Sequence, residues 1–153
     1  MAIMDAKLEF SDAQVISQGS GSAAVAGTNV LSMATVYSAW KHNIGAASAA
    51  ITNDIGEGNN GLTFNWQVAV AVTASVIFVC KAYSHTTSAI ASGTLLGSVT
   101  FAAAAAAGSR KTLRVPAGTV NKWVGVTYSN TVDDSVASAF DCWLGLDTET
   151  PST

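Results

Sequence analysis

From Arg110 to Asp147 apolar and polar residues alternate, with breaks at Pro116-Ala117-Gly118 and at Asp133-Asp134. Successive side chains of a strand point to opposite faces, so this period of two predicts three short strands of an antiparallel sheet with one wet face. The alternation is strongest between Leu62 and Thr73. Leu62, Phe64, Trp66, Val68, Val70 and Val72 share one face, while Thr63, Asn65, Gln67, Ala69, Ala71 and Thr73 share the other. Thr73-Ala74-Ser75 reads as a hairpin turn into a strand over Val76 to Tyr83. Both faces of that strand are apolar, so it is central or covered on both sides. Leu95 to Phe101 is a further strand.

Shorter strands are predicted at Ser11 to Ser17 and Thr28 to Met33, around a Gly-Ser segment. Tyr37 to Asn60 is rich in Gly, Ala, Asn and Ser and predicts a long connection, with room for one helical turn at Ala47 to Ile51. It ends in the turn-forming run from Asp54 to Gly61. Ala102 to Ala107 has helical propensity but meets Gly108 after less than two turns, too short to hold a helix unaided, so a connection is expected. About eight strands and little helix predict an all-β fold, an antiparallel β-sandwich of the jelly-roll kind. The sandwich is expected to be a single domain over residues 11–150. Residues 1–10 show no periodicity and are expected to form an arm that reaches a neighbouring molecule.

A chain of 153 residues buries roughly 70% of the surface it exposes unfolded, enough for a core without metals or crosslinks. Charged residues make up only 11%, against about a quarter in ordinary soluble domains. Mean hydropathy is +0.35. Ala, Gly, Ser and Thr stand where Lys and Glu normally do, and such a surface is easily desolvated on packing into an assembly. The net charge of −3 argues against nucleic acid, because the densest cations, Arg110, Lys111 and Arg114, are too few to track phosphates. A membrane span is not expected, since Trp66 to Cys80 is interrupted by Gln67, Thr73 and Ser75. Asp5, Lys7 and Glu9 interrupt the first ten residues, so an export leader is not expected and the chain is placed in the cytoplasm that makes it. Cys80 and Cys142 lie in strand-like runs and are expected to be reduced and buried.

Candidate chemistry is sparse. His42 and His85 have no histidine or cysteine at ligand spacing, so no metal site is expected. Ser84 and His85 are adjacent in sequence without an orienting carboxylate, which is no nucleophile–base pair. Asp54 and Glu57 lack the spacing of a calcium loop and fit turn capping and exposure. The glycines and serines from Gly19 to Ser22 precede no Lys-Ser/Thr and no helix, so they form no phosphate loop. No catalytic residue, cofactor or metal is expected, and the chain reads as a non-enzyme.

The aromatic residues carry more. Trp66 shares parity with Val68, Val70 and Val72 and is expected in the core. Trp143 shares its face with Asp141, Gly145 and Asp147, opposite Phe140, Cys142, Leu144 and Leu146. By the same parity Trp123 opposes Val124, Val126 and Tyr128. Two outward tryptophans suggest a contact surface. The candidate interface residues are therefore Trp123 and Trp143, with Leu8 and Phe10 of the arm.

Four segments in order resemble the jelly-roll capsid cement, or decoration, proteins of short-tailed bacteriophages. They are SDAQVIS with GTNVL near the start, DIGEG before the alternating strand, LRVPAG, and KWVGVTY followed by a last apolar strand. The resemblance spans most of residues 9–147. Trp123, Gly125 and the alanine run depart from the family's pattern, which leaves the partner surface less defined than the fold. The resemblance implies a small sandwich on the outside of a shell of phage major capsid protein, stabilising the expanded head. The expected location is the virion surface, after assembly in the host cytoplasm. The expected partners are that capsid protein and the chain itself, a homodimer ahead of a trimer. The alternative is a jelly-roll carbohydrate-binding module of a tail or surface appendage, using exposed tryptophans.

Overall fold

The computed structural model of the chain describes residues 9–16, 24–32, 62–117, 122–131 and 138–146. Its strands are β1 (Glu9–Ile16), β2 (Val25–Ala26), β3 (Leu31–Ser32), β4 (Leu62–Val70), β5 (Phe78–His85), β6 (Thr94–Phe101), β7 (Arg110–Arg114), β8 (Trp123–Asn130) and β9 (Ser138–Leu146). One sheet runs β1-β9-β4-β7 and the other β2-β8-β5-β6, with β3 also paired to β8. Every pairing is antiparallel. β2 and β3 lie end to end along β8, as two halves of one interrupted strand. The chain then changes sheet at every connection except β5–β6, which is the wrapping of a jelly roll.

That topology corrects two expectations. The three strands after Arg110 exist, but they do not form a sheet together: β7 and β9 lie in the first sheet and β8 in the second. The turn at residues 73–76, closed by Val76 N–H donating to Thr73 O at 3.1 Å, crosses between sheets and is not a hairpin. β5, expected to be either central or covered on both sides, is an inner strand between β8 and β6. The alanine run forms two successive turns, Ala105 N–H to Ala102 O and Ser109 N–H to Ala106 O, and no helix. Its remaining bonds go sideways to the end of β4, with Gly108 N–H on Val68 O at 2.8 Å and Val72 N–H on Ala105 O at 2.9 Å. Pairing with a neighbouring backbone satisfies these groups, which so short a helix leaves open.

The core lies between the sheets. Trp66, Tyr128 and five phenylalanines (Phe10, Phe64, Phe78, Phe101 and Phe140) fill it. Phe140 of β9 meets three rings of the opposite sheet: Phe78 at 5.0 Å, Phe101 at 5.3 Å and Tyr128 at 5.6 Å between centroids. Phe10, Phe64 and Trp66 form a second row along the first sheet. Val70 breaks the predicted β4 face and is 49% exposed. The pairing with β9 slips by one residue between Val68 and Val70, and a slip of one turns a side chain to the other face.

β1 begins at Glu9, so Glu9 and Phe10 belong to the sandwich and the expected arm is shorter at its end than residue 10. Residues 1–8, the DIGEG run, Trp40, His42 and the Asp133-Asp134 turn lie outside the described residues. β1 carries two irregularities in its pairing with β9, and Ala13 beside the second has φ 42. This left-handed conformation strains a residue with a Cβ. The Asp141 carboxylate accepts the Ala13 N–H at 2.6 Å and helps hold it there.

A clasp joins the two sheets at this end. Gln14 on β1 donates from Nε2 to Ala26 O at 2.8 Å and accepts from Thr28 N–H at 2.9 Å, gripping the bulge between β2 and β3 with both ends of one amide. Asn29 returns its own N–H to Phe10 O at 2.9 Å and its Nδ2 to Glu9 O. Replacing Gln14 with Ala removes two bonds at once. Equilibrium unfolding of Gln14→Ala is expected to show a loss of about 1–2 kcal/mol, and an unchanged midpoint would show that the clasp contributes nothing.

Candidate functional site

The outer face of the first sheet is a grid set by strand register. Glu9, Trp143, Asn65 and Thr112 form one row across β1, β9, β4 and β7. Asp141, Gln67 and Arg110 form the next, and Gly145, Thr63 and Arg114 another. Trp143 sits near the centre, outward as its parity predicted, and partly buried by its neighbours. The Arg110 guanidinium lies over its ring, 5.4 Å from the centroid, and donates through Nε to Gln67 Oε1 at 2.6 Å. A Cβ added at Gly145 would stand 3.4 Å from Trp143 Cδ1 and 3.5 Å from Asn65 Nδ2, so the ring and the amide flank that position.

Thr63 and Asn65 were expected on a wet face, yet both are buried. β4 is an inner strand of this sheet, and its small polar groups bond within it. Thr63 Oγ1 donates to Gly145 O at 3.0 Å, and Asn65 Nδ2 donates to Thr63 O at 3.2 Å. Charge on this face is divided. Glu9, Asp12 and Asp141 stand at the β1–β9 side, whereas Arg110 and Arg114 stand on β7. Partial burial, then the charges of Asp12 and Asp141, push the Glu9 carboxyl above its usual value of 4.5.

The second tryptophan lies elsewhere. Trp123 heads β8 in the other sheet, next to His85 and Ser32. The structure therefore places Trp123 and Trp143 in opposite sheets, each on its outward parity, and does not join them into one contact surface. One end of the β5–β8 pair on the second sheet's outer face is covered by a 3-10 turn, Ile90–Ser92. Ile90 is buried against Gly125, where a Cβ would come within 2.7 Å of Ile90 Cγ1, so only glycine lets that side chain seat. An isolated isoleucine in the polar run from Ser84 to Gly93 was the sequence signal for this contact. His85 ends β5 and caps the same loop, its Nδ1 accepting from Thr87 N–H at 2.8 Å.

Phe10 is corrected from interface to core: it is 0% exposed and packs on Phe64. Leu8 lies outside the described residues. Both cysteines are free and buried, as expected. Cys142 pairs across the strands with Ser11 in one sheet, and Cys80 with Tyr128 in the other. The Tyr128 hydroxyl reaches Ser11 Oγ at 2.6 Å, a buried bond between the sheets. Burial raises the Tyr128 phenol and pushes both thiols up, so all three are neutral in the folded chain near pH 7. These groups tie the sheets together from inside the core. Among the described residues no cluster of His, Cys, Asp or Glu is arranged to hold a metal ion, and no helix is long and apolar enough to cross a membrane.

Comparison with known proteins gives no matching family model and no matching curated sequence.

Two outcomes are expected from this geometry. Trp66 is fully buried, so Trp66→Ala should cost about 3–5 kcal/mol in equilibrium unfolding, whereas Trp143→Ala should cost about 1 kcal/mol, the scale of a partly exposed cation–π contact. Equal losses would place Trp143 in the core. The raised Glu9 carboxyl makes stability fall as pH rises from 4.5 through the folded value, because the folded chain keeps a proton that the unfolded chain has released. Glu9→Gln should match the wild type in melting temperature below that window and exceed it at neutral pH. A variant that melts lower at neutral pH would show that the Glu9 charge is stabilising.

Proposed function

We propose that the chain is a structural, non-catalytic protein that decorates the outside of a phage capsid shell, binding the major capsid protein and stabilising the expanded head. The observation that carries this reading is the clasp at β1. SDAQ and TNV, together with DIGEG, hold most of the resemblance. Gln14 of the first bonds the backbone of Ala26 and Thr28, and Asn29 of the second bonds the backbone of Glu9 and Phe10, across the two sheets. The shared residues are thus architectural and support a shared fold, from which the role implied by the resemblance is carried over as the proposal. The low charge content supports it as well, because a surface poor in Lys and Glu loses little hydration on docking.

The outer face of the first sheet is the docking face in this reading. Trp143, held by Arg110 and Gln67 at its centre, is a rigid aromatic anchor with separated acidic and basic flanks. Preorganised aromatic anchors of this kind dominate protein interfaces.

One observation favours a second reading, a saccharide-binding face. Trp143 stands among the amides of Asn65 and Gln67 and the carboxylate of Asp141, groups that suit sugar hydroxyls. Arg110 weighs against it, since its guanidinium occupies a face of the ring that a stacked sugar would need.

Co-sedimentation with expanded shells of the major capsid protein from the same genome tests the proposal. The wild-type chain should pellet with shells to saturation, and Trp143→Ala should weaken binding by about 2 kcal/mol while its fold persists. A chain that ignores the shells but is retained on a glycan array, with retention lost in Trp143→Ala, would overturn the capsid reading for the saccharide one.

A further inference from the structure

A sandwich has four sheet edges, and an edge strand presents unpaired N–H and C=O groups to any strand that reaches it. Here β1 and β7 bound one sheet, while β6 and the β2–β3 pair bound the other. Three of these edges carry features that discourage pairing. β1 has two irregularities and the acidic Glu9 and Asp12. β2 and β3 are two residues each, separated by a bulge. β7 has five residues, three of them Arg110, Lys111 and Arg114. β6 differs from all of them. It runs eight residues, TLLGSVTF, with no charge and no proline. Leu95 at one end is 52% exposed, and Ile77, beside the Phe78–Phe101 pair at the other end, is 39% exposed.

We propose that β6 is a homodimer edge: two copies of this chain pair through it, antiparallel about a two-fold axis, joining their second sheets into one continuous sheet. A two-fold makes any edge strand complementary to itself in backbone hydrogen bonds, and it closes the assembly at two copies. The register follows from parity. Opposed residues share a face, and the slip in the β5–β6 pairing between Gly97 and Leu95 leaves Gly97–Phe101 as the regular stretch. The axis therefore falls on Ser98 or Val99, and over the whole of β6 Ser98 keeps the longer overlap, Leu95–Phe101 against Gly97–Phe101. Ser98 then faces its own copy on the exposed side, and Leu95 of each chain lies at the Phe101 end of the other, toward its exposed Ile77. Charge is absent from β6 itself, so no like charges meet between the two paired strands, while the cations of β7 lie on the adjacent edge of the other sheet.

The inference stands apart from the capsid reading, since it concerns the isolated protein. A chain that dimerises through β6 and never binds shells overturns only that other reading. The test uses light scattering of the full chain, which should give twice its 15.5 kDa mass. Ser98 is exposed, so Ser98→Lys and Ser98→Glu should each fold with the wild-type circular dichroism spectrum while weakening the dimer about fivefold or more, as like charges meet across the pair. Mixing the two variants should restore pairing as a heterodimer, which damage to the fold would not do. A monomeric wild type overturns the proposal. So does a dimer that both variants leave intact, or variants that fail to rescue each other.

Discussion

Phe140 holds the two sheets in one arrangement. Its ring belongs to β9, an inner strand paired with both β1 and β4, and it packs against Phe78, Phe101 and Tyr128 of the facing sheet. Three aromatic contacts on one ring set the spacing of the sandwich and the position of β9 along it. With β9 placed, Cys142 and Leu144 fall inward and Asp141 and Trp143 outward. The interior of the protein and the anchor on its outer face therefore depend on the same strand. Packing of this density leaves little tolerance for a shift of even one methylene.

Polar contacts add specificity to that apolar core. The Ser11–Tyr128 bond crosses the sandwich within the core, and the Gln14–Asn29 clasp crosses it at the surface. Both involve β1, the edge strand whose irregular pairing with β9 would otherwise leave it loosely placed. Not every buried group is served. Among the described residues Trp66 Nε1 and Thr127 Oγ1 are buried with no hydrogen-bond partner, and each such group costs about 1–3 kcal/mol. The apolar bulk of Trp66 outweighs its idle N–H, because burying so large a side chain returns more than one lost hydrogen bond takes away.

The two outer faces differ in kind. The first carries divided charge around a clamped tryptophan, and the second is covered at one end of its β5–β8 pair by Ile90 seated on Gly125. A protein with two such faces and an uncharged edge has distinct surfaces for distinct contacts. The docking face proposed on the first sheet and the pairing edge proposed on β6 share no residues, so the two proposals are compatible. Avidity from two linked copies would then strengthen modest individual contacts on a repeating surface.

Much of the fold was legible in the sequence because burial on a strand repeats every two residues. Strand positions, the inward Trp66, the outward Trp143 and the buried cysteines all follow from parity read locally. Where register slips, that reading fails: Val70 turns outward after one extra residue on β4, and Phe10 turns out to be core because β1 starts earlier than its pattern suggests. Asp141 and Gly145 could be assigned to the face of Trp143, but Arg110, Gln67 and Asn65 could not, since they come from other strands. Which strands pair was decided only by the tertiary structure. β7, β8 and β9 look like one sheet in sequence and lie in two in space, and the alanine run spends its hydrogen bonds on β4 instead of on a helix. Periodicity records which side of a strand is dry. Its neighbours are chosen by contacts between residues far apart in the chain, above all by the rings that gather on Phe140.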